Sequence, residues 1–235
     1  RFGTPQGSSC SCLIFALYVG DIESWVDECL VGAFADDTFI TVEADTLDEL
    51  KKRATREGEK VLQFFAANRM VANPSKTGLV VFRPSKTLHE GADTIQIDLD
   101  GVKIIEVNET MLLGVKISND LNWKAHINYI NSKINYTTSV LWRLRKVLGS
   151  GELRLLADGL FMSRIRYCLP VFGIESLRTN DNEPTSSTMS ELQKAQNDVL
   201  RIITGRKRRD HIKIADMLKD TGFLSVNQTL AYACL

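Results

Sequence analysis

Two adjacent carboxylates, Asp36 and Asp37, interrupt two apolar, β-prone runs within residues 31–42. This pattern predicts a β-hairpin with both acids at its tip. Because neighbouring strand residues point to opposite faces, the two carboxylates share one site only if the chain turns between them. Close anionic groups repel unless a cation lies between them, and Mg2+ suits carboxylate oxygens. Asp is also common in plain turns, because its side chain bonds its own backbone, so both interpretations are open here.

Two other short segments carry polar groups on predicted loops. Pro5, Gln6 and Gly7 precede a helix that Ser8 or Ser9 caps and that ends at Gly20. A glycine beside an amide side chain lets a nucleotide approach closely, although an ordinary loop has the same composition. Lys76 lies on a turn between predicted strands at 70–72 and 79–82. It can contact a phosphate or donate a proton, but a turn lysine is commonly only solvated.

The rest of the first 120 residues predicts an α+β layer. A capping box at Thr46–Glu49 opens an amphipathic helix to about residue 68, whose charged face at 51–59 is expected to be solvated. Asp100-Gly101 supplies a type I′ turn signal between alternating runs at 95–99 and 102–107. Met111–Ile117 predicts one further strand that contains Gly114.

Beyond residue 120 the apolar spacing becomes helical, with helices predicted at 123–148, 153–167 and 191–203. A polar run at 179–190 predicts a linker, and Ser225–Gln228 predicts another capping box. Basic residues cluster at the end of the first helix and after the third. They can contact phosphates or be solvated, and they are Arg143, Arg145, Lys146, Arg206, Lys207, Arg208 and Arg209.

The zero net charge hides an uneven distribution. Residues 1–120 hold 12 basic and 19 acidic side chains, whereas residues 121–235 hold 17 and 10. Such asymmetry indicates parts with separate tasks. The five cysteines are odd in number and scattered, which predicts free thiols in a reducing compartment, the cytoplasm or nucleus, rather than secretion. No apolar stretch is long enough for a membrane span. The chain opens on Arg1 and ends within a helical pattern, so we expect an excerpt of a longer protein.

Three of these segments together carry a resemblance to a known family. Pro5-Gln6-Gly7-Ser8, Phe34–Asp37 and Asn73–Thr77 occur in this order and resemble the reverse transcriptases of non-LTR (LINE-type) retrotransposons. Later stretches resemble further blocks of the same family, so that the resemblance covers essentially the whole chain: Leu112–Val115, Asn122-Trp123, His126-Ile127, Gln196-Asn197, Leu200–Ile202 and Gly205. Phe34 stands where many relatives have tyrosine, and Cys12 where proline is usual.

The resemblance implies a partial right-hand polymerase palm at 1–120, followed by a mainly helical, basic thumb at 121–235. It implies RNA-directed DNA polymerase activity with two Mg2+ ions, one at the primer 3′-hydroxyl and one at the leaving pyrophosphate. Asp36 and Asp37 correspond to the metal-binding pair, and Lys76 to the lysine that protonates pyrophosphate. Pro5, Gln6, Gly7 and Ser8 resemble the loop at the nucleotide and template base, and Leu113, Gly114 and Val115 resemble the primer grip.

The implied partners are an RNA template, a DNA primer and deoxynucleoside triphosphates. The family's metal site needs a third carboxylate from an earlier palm strand, and Asp21 lies about 18 Å along a helix from the Gln6-Gly7 loop, too far to substitute. The family's fingers, which would hold the template and the nucleotide, are also missing from this sequence, so we expect the 235 residues alone to be inactive in polymerisation. Two other classes are open: a retroelement-derived protein that only binds RNA or DNA, and a plain α+β interaction module.

Overall fold

The computed structural model describes residues 8–73, 76–83, 94–174 and 187–235. It divides into two compact units, with unit 1 ending at Leu113 and unit 2 beginning at Gly114. The boundary predicted after residue 120 lies seven residues beyond this division. Helices and small antiparallel sheets are both present, as the α+β prediction requires.

Unit 1 combines two helices with short strands. Helix α1 is followed by a 3-10 turn at Ile22–Trp25, and helix α2 lies between two antiparallel hairpins, β1–β2 and β3–β4. The bounds are α1 Ser11–Val19, β1 Leu30–Phe34, β2 Asp37–Thr41, α2 Leu47–Ala67, β3 Gln96–Leu99, β4 Val102–Ile105 and β5 Glu109–Leu112.

Helix α2 supports both hairpins through different parts of its apolar stripe. Thr46 caps it as predicted, because its hydroxyl accepts the Glu49 N–H. Ala54 belongs to the buried cluster of the β3–β4 hairpin, whereas Val61 and Phe64 belong to the cluster against which β1 and β2 pack. A side chain at Gly58 would meet the Leu99 side chain at 2.8 Å, so glycine permits the close approach of helix and strand. One helix thereby fixes both hairpins.

The predicted Asp100-Gly101 turn is confirmed. Both residues have positive φ, 53° and 78°, as a type I′ turn requires. The single strand predicted at Met111–Ile117 is wrong. Leu113 and Gly114 also have positive φ, 47° and 78°, and form a two-residue turn between β5 and β6, Val115–Ser118. The apolar run predicts a strand, but the left-handed backbone at its centre interrupts it.

Three smaller predictions for unit 1 also need correction. Neither Ser8 nor Ser9 is the helix cap, because α1 begins at Ser11 after Cys10. Residues 70–72, all of them described, form no strand. Near 79–82 the described chain makes only an isolated bridge between Leu79 and Glu106. Both segments are short apolar runs, and a run of three or four apolar residues does not by itself determine whether the chain pairs as a strand.

Unit 2 is mainly helical after β6. A helical segment at 150–166 changes from α to π geometry at Asp158–Met162, and a 3-10 turn at Arg208–Asp210 follows the longest later helix. The helices are α3 Lys124–Leu144, α4 Ser150–Ala157, α5 Ser163–Arg166, α6 Leu169–Gly173, α7 Ser187–Thr204, α8 Ile214–Thr221 and α9 Val226–Ala233.

One hydrophobic cluster of 21 buried residues holds the helices of unit 2 together. Ile134 and Leu141 of α3 and Leu192 and Leu200 of α7 lie in it, so these two helices pack side by side. The predicted linker at 179–190 is corrected at its end, because 187–190 belong to α7; residues 179–186 lie outside the described residues. In the described part of the chain, no helix has the length and apolarity that crossing a membrane would need.

Candidate functional site

The hairpin β1–β2 presents the two adjacent carboxylates at its tip, as predicted. Phe34 pairs with Asp37, and Ala35 and Asp36 form the two-residue turn between them. Ala35 has a φ of 52°, a left-handed conformation that allows so tight a reversal. Asp36 therefore lies within the turn, and Asp37 is the first residue of β2.

The two faces of this hairpin differ in chemistry. Val31 and Ile40 are paired across the strands and pack on the cluster around Phe64. By strand alternation, Asp37 lies on the opposite face together with Phe39. The Phe39 ring covers Gly32, where a side-chain atom would meet it at 2.3 Å. The apolar face anchors the hairpin and leaves the acidic tip exposed.

Both carboxylates are free to accept a cation. Among the residues that the structure describes, neither Asp36 nor Asp37 has a side-chain hydrogen bond or ion pair, and both are exposed. Adjacent carboxylates without a competing cation of the same chain provide the oxygen ligands that Mg2+ prefers. Within the described ranges, no group of three or more His, Cys, Asp or Glu side chains is placed so that it could hold a metal ion. Asp36 and Asp37 are the residues of the hairpin that would supply oxygen ligands to a Mg2+ ion.

The loop that leads into β1 is fixed by Glu57, a residue that the sequence analysis placed on a solvated helix face. Glu57 is fully buried and accepts hydrogen bonds from the Asp27 N–H at 2.9 Å and the Lys60 ammonium at 2.8 Å. Burial alone would raise the pKa of Glu57, but the hydrogen bonds from Lys60, the Asp27 and Glu28 amides and Arg56 outweigh it and lower the pKa to about 2.

Further ion pairs join the same loop to α2. The Lys60 ammonium also lies 2.7 Å from the Asp27 carboxylate, and Arg53 and Arg56 both pair with Glu28. The charged face of α2 therefore works as a clamp on residues 27–29 and positions the hairpin. In the sequence, the signal for this contact was that acidic residues are concentrated in the loop and basic residues on α2. Only the fold brings the two segments together.

The other residues predicted for the polymerase site lie on other elements or outside the described ranges. Pro5, Gln6 and Gly7 are outside them, and Ser8 is exposed ahead of α1. Lys76 is exposed, and its N–H donates to the Asn73 carbonyl at 3.1 Å. Within the described chain, no hydrogen bond or ion pair joins Lys76 to the acidic tip. Leu113, Gly114 and Val115 form a turn and the start of a strand.

Five of the seven predicted basic residues of unit 2 line one cavity of about 600 Å³. Arg143 and Arg145 reach it from the end of α3, and Arg206, Lys207 and Arg208 from the segment after α7. We call it the arginine cavity; its lining residues are Asn135, Thr138, Ser139, Trp142, Arg143, Arg145, Asp198, Arg201, Ile202, Arg206, Lys207 and Arg208. The packing of α3 on α7 brings together cations that are about 60 positions apart in sequence.

Two carboxylates hold some of these cations in place. Asp198 pairs with Arg201 at 3.0 Å and with Arg208 at 2.9 Å, and Asp220 pairs with Arg206 at 2.8 Å. The Arg206 Nη1 is buried and has no hydrogen-bond partner in the described chain. With six cations and one carboxylate in its lining, the cavity keeps a positive excess suited to a polyanion.

Trp142 and Arg201 contribute to the arginine cavity but were not predicted. Trp142 lies beside the apolar stripe of α3, is 47% exposed, and has the Arg145 guanidinium 4.7 Å from its ring centroid. In the sequence, the signal for Trp142 was that this aromatic residue lies off the apolar stripe of α3. Conversely, Lys146 and Arg209 do not line the cavity, although Lys146 lies 5.9 Å from the Trp142 ring.

Comparisons with known proteins identify a family for the first half of the chain. Residues 1–117 match the family model described as reverse transcriptase (RNA-dependent DNA polymerase). The chain is 27% identical over 150 residues to a retrovirus-related Pol polyprotein from type-1 retrotransposable element R1 4 of Nasonia vitripennis, covering 57% of this chain. It spans only 38% of that relative's length. The search of solved structures found no match. The acidic hairpin lies inside the matched region.

Proposed function

Since this chain belongs to the reverse transcriptase family of non-LTR (LINE-type) retrotransposons, we propose that it forms part of an enzyme that copies RNA into DNA. Residues 1–120 would form part of the palm and residues 121–235 the thumb. The observation that carries the proposal is the exposed Asp36-Asp37 tip of a hairpin within the family-matched residues. The reaction is attack of a primer 3′-hydroxyl on the α-phosphate of a deoxynucleoside triphosphate, with release of pyrophosphate.

In this proposal the chain's own residues hold and orient the reactants. Asp36 and Asp37 are ligands of Mg2+, which when bound activates the hydroxyl and neutralises the leaving group. Lys76 donates a proton to pyrophosphate. Pro5, Gln6, Gly7 and Ser8 line the nucleotide and template base, and the turn with Leu113, Gly114 and Val115 supports the primer end.

We further propose that the arginine cavity contacts the backbone of an RNA–DNA duplex. Its support is the convergence of Arg143 and Arg145 with Arg206, Lys207 and Arg208 around one space. Guanidinium groups donate paired hydrogen bonds to phosphate oxygens. Because these contacts release the counterions of the nucleic acid, the affinity for the duplex falls as the salt concentration rises. The substrates proposed for the whole enzyme are an RNA template, a DNA primer and deoxynucleoside triphosphates.

Primer extension on an RNA template with Mg2+ tests the proposed activity. We expect the 235-residue chain alone to add no nucleotides, because its described residues contain no group of three His, Cys, Asp or Glu side chains that could hold a metal ion. A polypeptide that also carries a preceding palm strand with an acidic residue should extend the primer. Extension by the 235 residues alone would refute the need for a third carboxylate. Duplex binding without extension by the longer polypeptide would instead favour a retroelement-derived binding protein.

A further inference from the structure

Unit 2 contains a second cavity, of about 440 Å³, that shares no lining residue with the arginine cavity. It lies between the first half of α3 and the segment around α5. We call it the histidine cavity; the side chains that matter in its lining are His126, Tyr129, Lys133, Ser163, Arg164 and Tyr167. It is open enough for a charged group to enter from solvent, since Arg164 and Lys133 are both exposed.

His126 lines this cavity and carries a buried hydrogen-bond donor that no protein group satisfies within the described residues. The side chain is only 2% exposed, and its Nδ1 accepts the Lys116 N–H at 3.1 Å. Burial lowers the pKa of His126, so the imidazole is neutral near pH 7 and its proton resides on Nε2. Nε2 is buried and has no partner within the described residues. Because an unsatisfied buried donor is unfavourable, an acceptor bound in the cavity would be stabilised.

Two cations in the same lining lack a counter-charge. Neither Lys133 nor Arg164 forms an ion pair with a residue of the described ranges, and no acidic side chain among those residues lines the cavity. The Lys133 ammonium lies 5.4 Å from the Tyr129 ring centroid, which holds it at the cavity. The chain changes to π-helical geometry at Asp158–Met162, directly before Ser163 and Arg164, and such insertions occur often at functional sites.

We propose that the histidine cavity binds one backbone phosphate of a nucleic acid. Lys133 and Arg164 supply the positive charge, and His126 donates a hydrogen bond from Nε2 to a phosphate oxygen. The identity of the partner rests on the proposed function. The histidine cavity takes His126, Tyr129 and Lys133 from α3, whereas the arginine cavity takes Asn135, Thr138 and Trp142, nine residues further on and on the opposite face of the helix. The phosphate proposed here is therefore a contact separate from any at the arginine cavity.

Neutral-linkage scanning tests this assignment on the 235-residue chain. A labelled RNA–DNA duplex would carry one methylphosphonate at a time, and its affinity would be measured by fluorescence anisotropy. We expect one or two linkages whose neutralisation weakens binding to the unmodified protein about tenfold. Arg164→Met should remove the sensitivity at those linkages and leave it intact at linkages contacted by Arg143 and Arg145. Lys194→Met is the charge-matched control, since Lys194 is exposed and lines neither cavity.

A second readout follows the His126 side chain directly. In 15N-labelled protein, duplex binding should shift the Nε2–H resonance and slow its exchange with water, and the unmodified duplex should do so more than one neutralised at the sensitive linkage. In a separate measurement, inorganic phosphate at millimolar concentration replaces the duplex, to test whether a free anion occupies the cavity.

The possible results separate the two proposals. If the unmodified chain binds no duplex at low salt, the nucleic-acid role of unit 2 and this assignment both fail. If it binds, but Arg164→Met and Lys194→Met leave the same linkages sensitive, only the histidine cavity is refuted. Protection of Nε2–H by inorganic phosphate, with no sensitive linkage, also overturns the nucleic-acid occupant.

Discussion

The two units position charge in opposite ways. Unit 1 exposes two carboxylates on a two-stranded hairpin, with support from α2 and the Glu57 clamp. Unit 2 places its cations at the ends of α3 and α7 over a cluster of 21 buried residues, and Asp198 and Asp220 already pair with several of them. A metal-binding carboxylate must be free of its own chain's cations, whereas an arginine that binds phosphate gains from being held in position.

The largest effect is expected when basic residues of the arginine cavity in unit 2 are replaced. Replacing Arg143, Arg145 and Lys207 together by Met should lower duplex affinity about 100-fold at low salt and flatten the dependence of affinity on salt. Anisotropy titrations at several salt concentrations measure both. The triple replacement of Lys194, Lys213 and Lys219, all exposed and none lining either cavity, is the matched control. An unchanged salt slope would contradict the arginine cavity as a phosphate site.

The next largest effect is expected when the contacts of Glu57 in unit 1 are removed. Glu57→Gln keeps the shape of the side chain but removes the charge that accepts bonds from Lys60 and Arg56, and should destabilise the hairpin by about 2 kcal/mol. Hydrogen exchange should accelerate in residues 26–41 and stay unchanged in α7. Glu59→Gln, an exposed position on the same helix, should alter neither region. Equal exchange in both variants would mean that Glu57 does not hold the loop.

The same clamp gives unit 1 a specific pH dependence. Since folding lowers the pKa of Glu57 from its usual 4.5 to about 2, its contribution to stability is present above pH 4.5 and is lost as the pH falls towards 2. Denaturation at pH 6, 4 and 2.5 should show this loss in the unmodified chain and a smaller one in Glu57→Gln. Parallel pH curves for the two proteins would contradict it.

The smallest expected effect concerns the carboxylate within the arginine cavity. Asp198→Asn removes the partner of Arg208 and Arg201, so more positive charge is available for phosphate. Duplex affinity should rise about threefold, and the rise should shrink at high salt. Glu191→Gln, an exposed change on the same helix, controls for net charge. A loss of affinity would show that Asp198 positions the arginines more than it neutralises them.

Local signals predicted most of the elements that carry these groups. The Asp36 hairpin, the Asp100-Gly101 turn and the capped helices at Thr46 and Ser225 follow from residue types a few positions apart. The turn at Leu113 could not be predicted in this way, because leucine rarely adopts positive φ and the surrounding run is apolar.

Contacts between distant segments were beyond the sequence patterns. Glu57 has the spacing of a surface residue and is buried only because residues 27–29 fold over α2. Likewise, Arg143 and Arg206 share a cavity only because α3 packs on α7. Periodicity identifies which face of a helix is apolar, but it does not identify the segment that covers the other face.

The most direct test separates the tasks of the two units in one protein. In a polypeptide that carries this chain with a preceding palm strand, Asp36→Asn should abolish primer extension on RNA while duplex affinity stays within about twofold of the unmodified protein. The triple variant of Arg143, Arg145 and Lys207 should instead lose affinity and recover extension at saturating protein. Extension by Asp36→Asn at the unmodified rate would contradict the assignment of the acidic hairpin as the metal-binding centre.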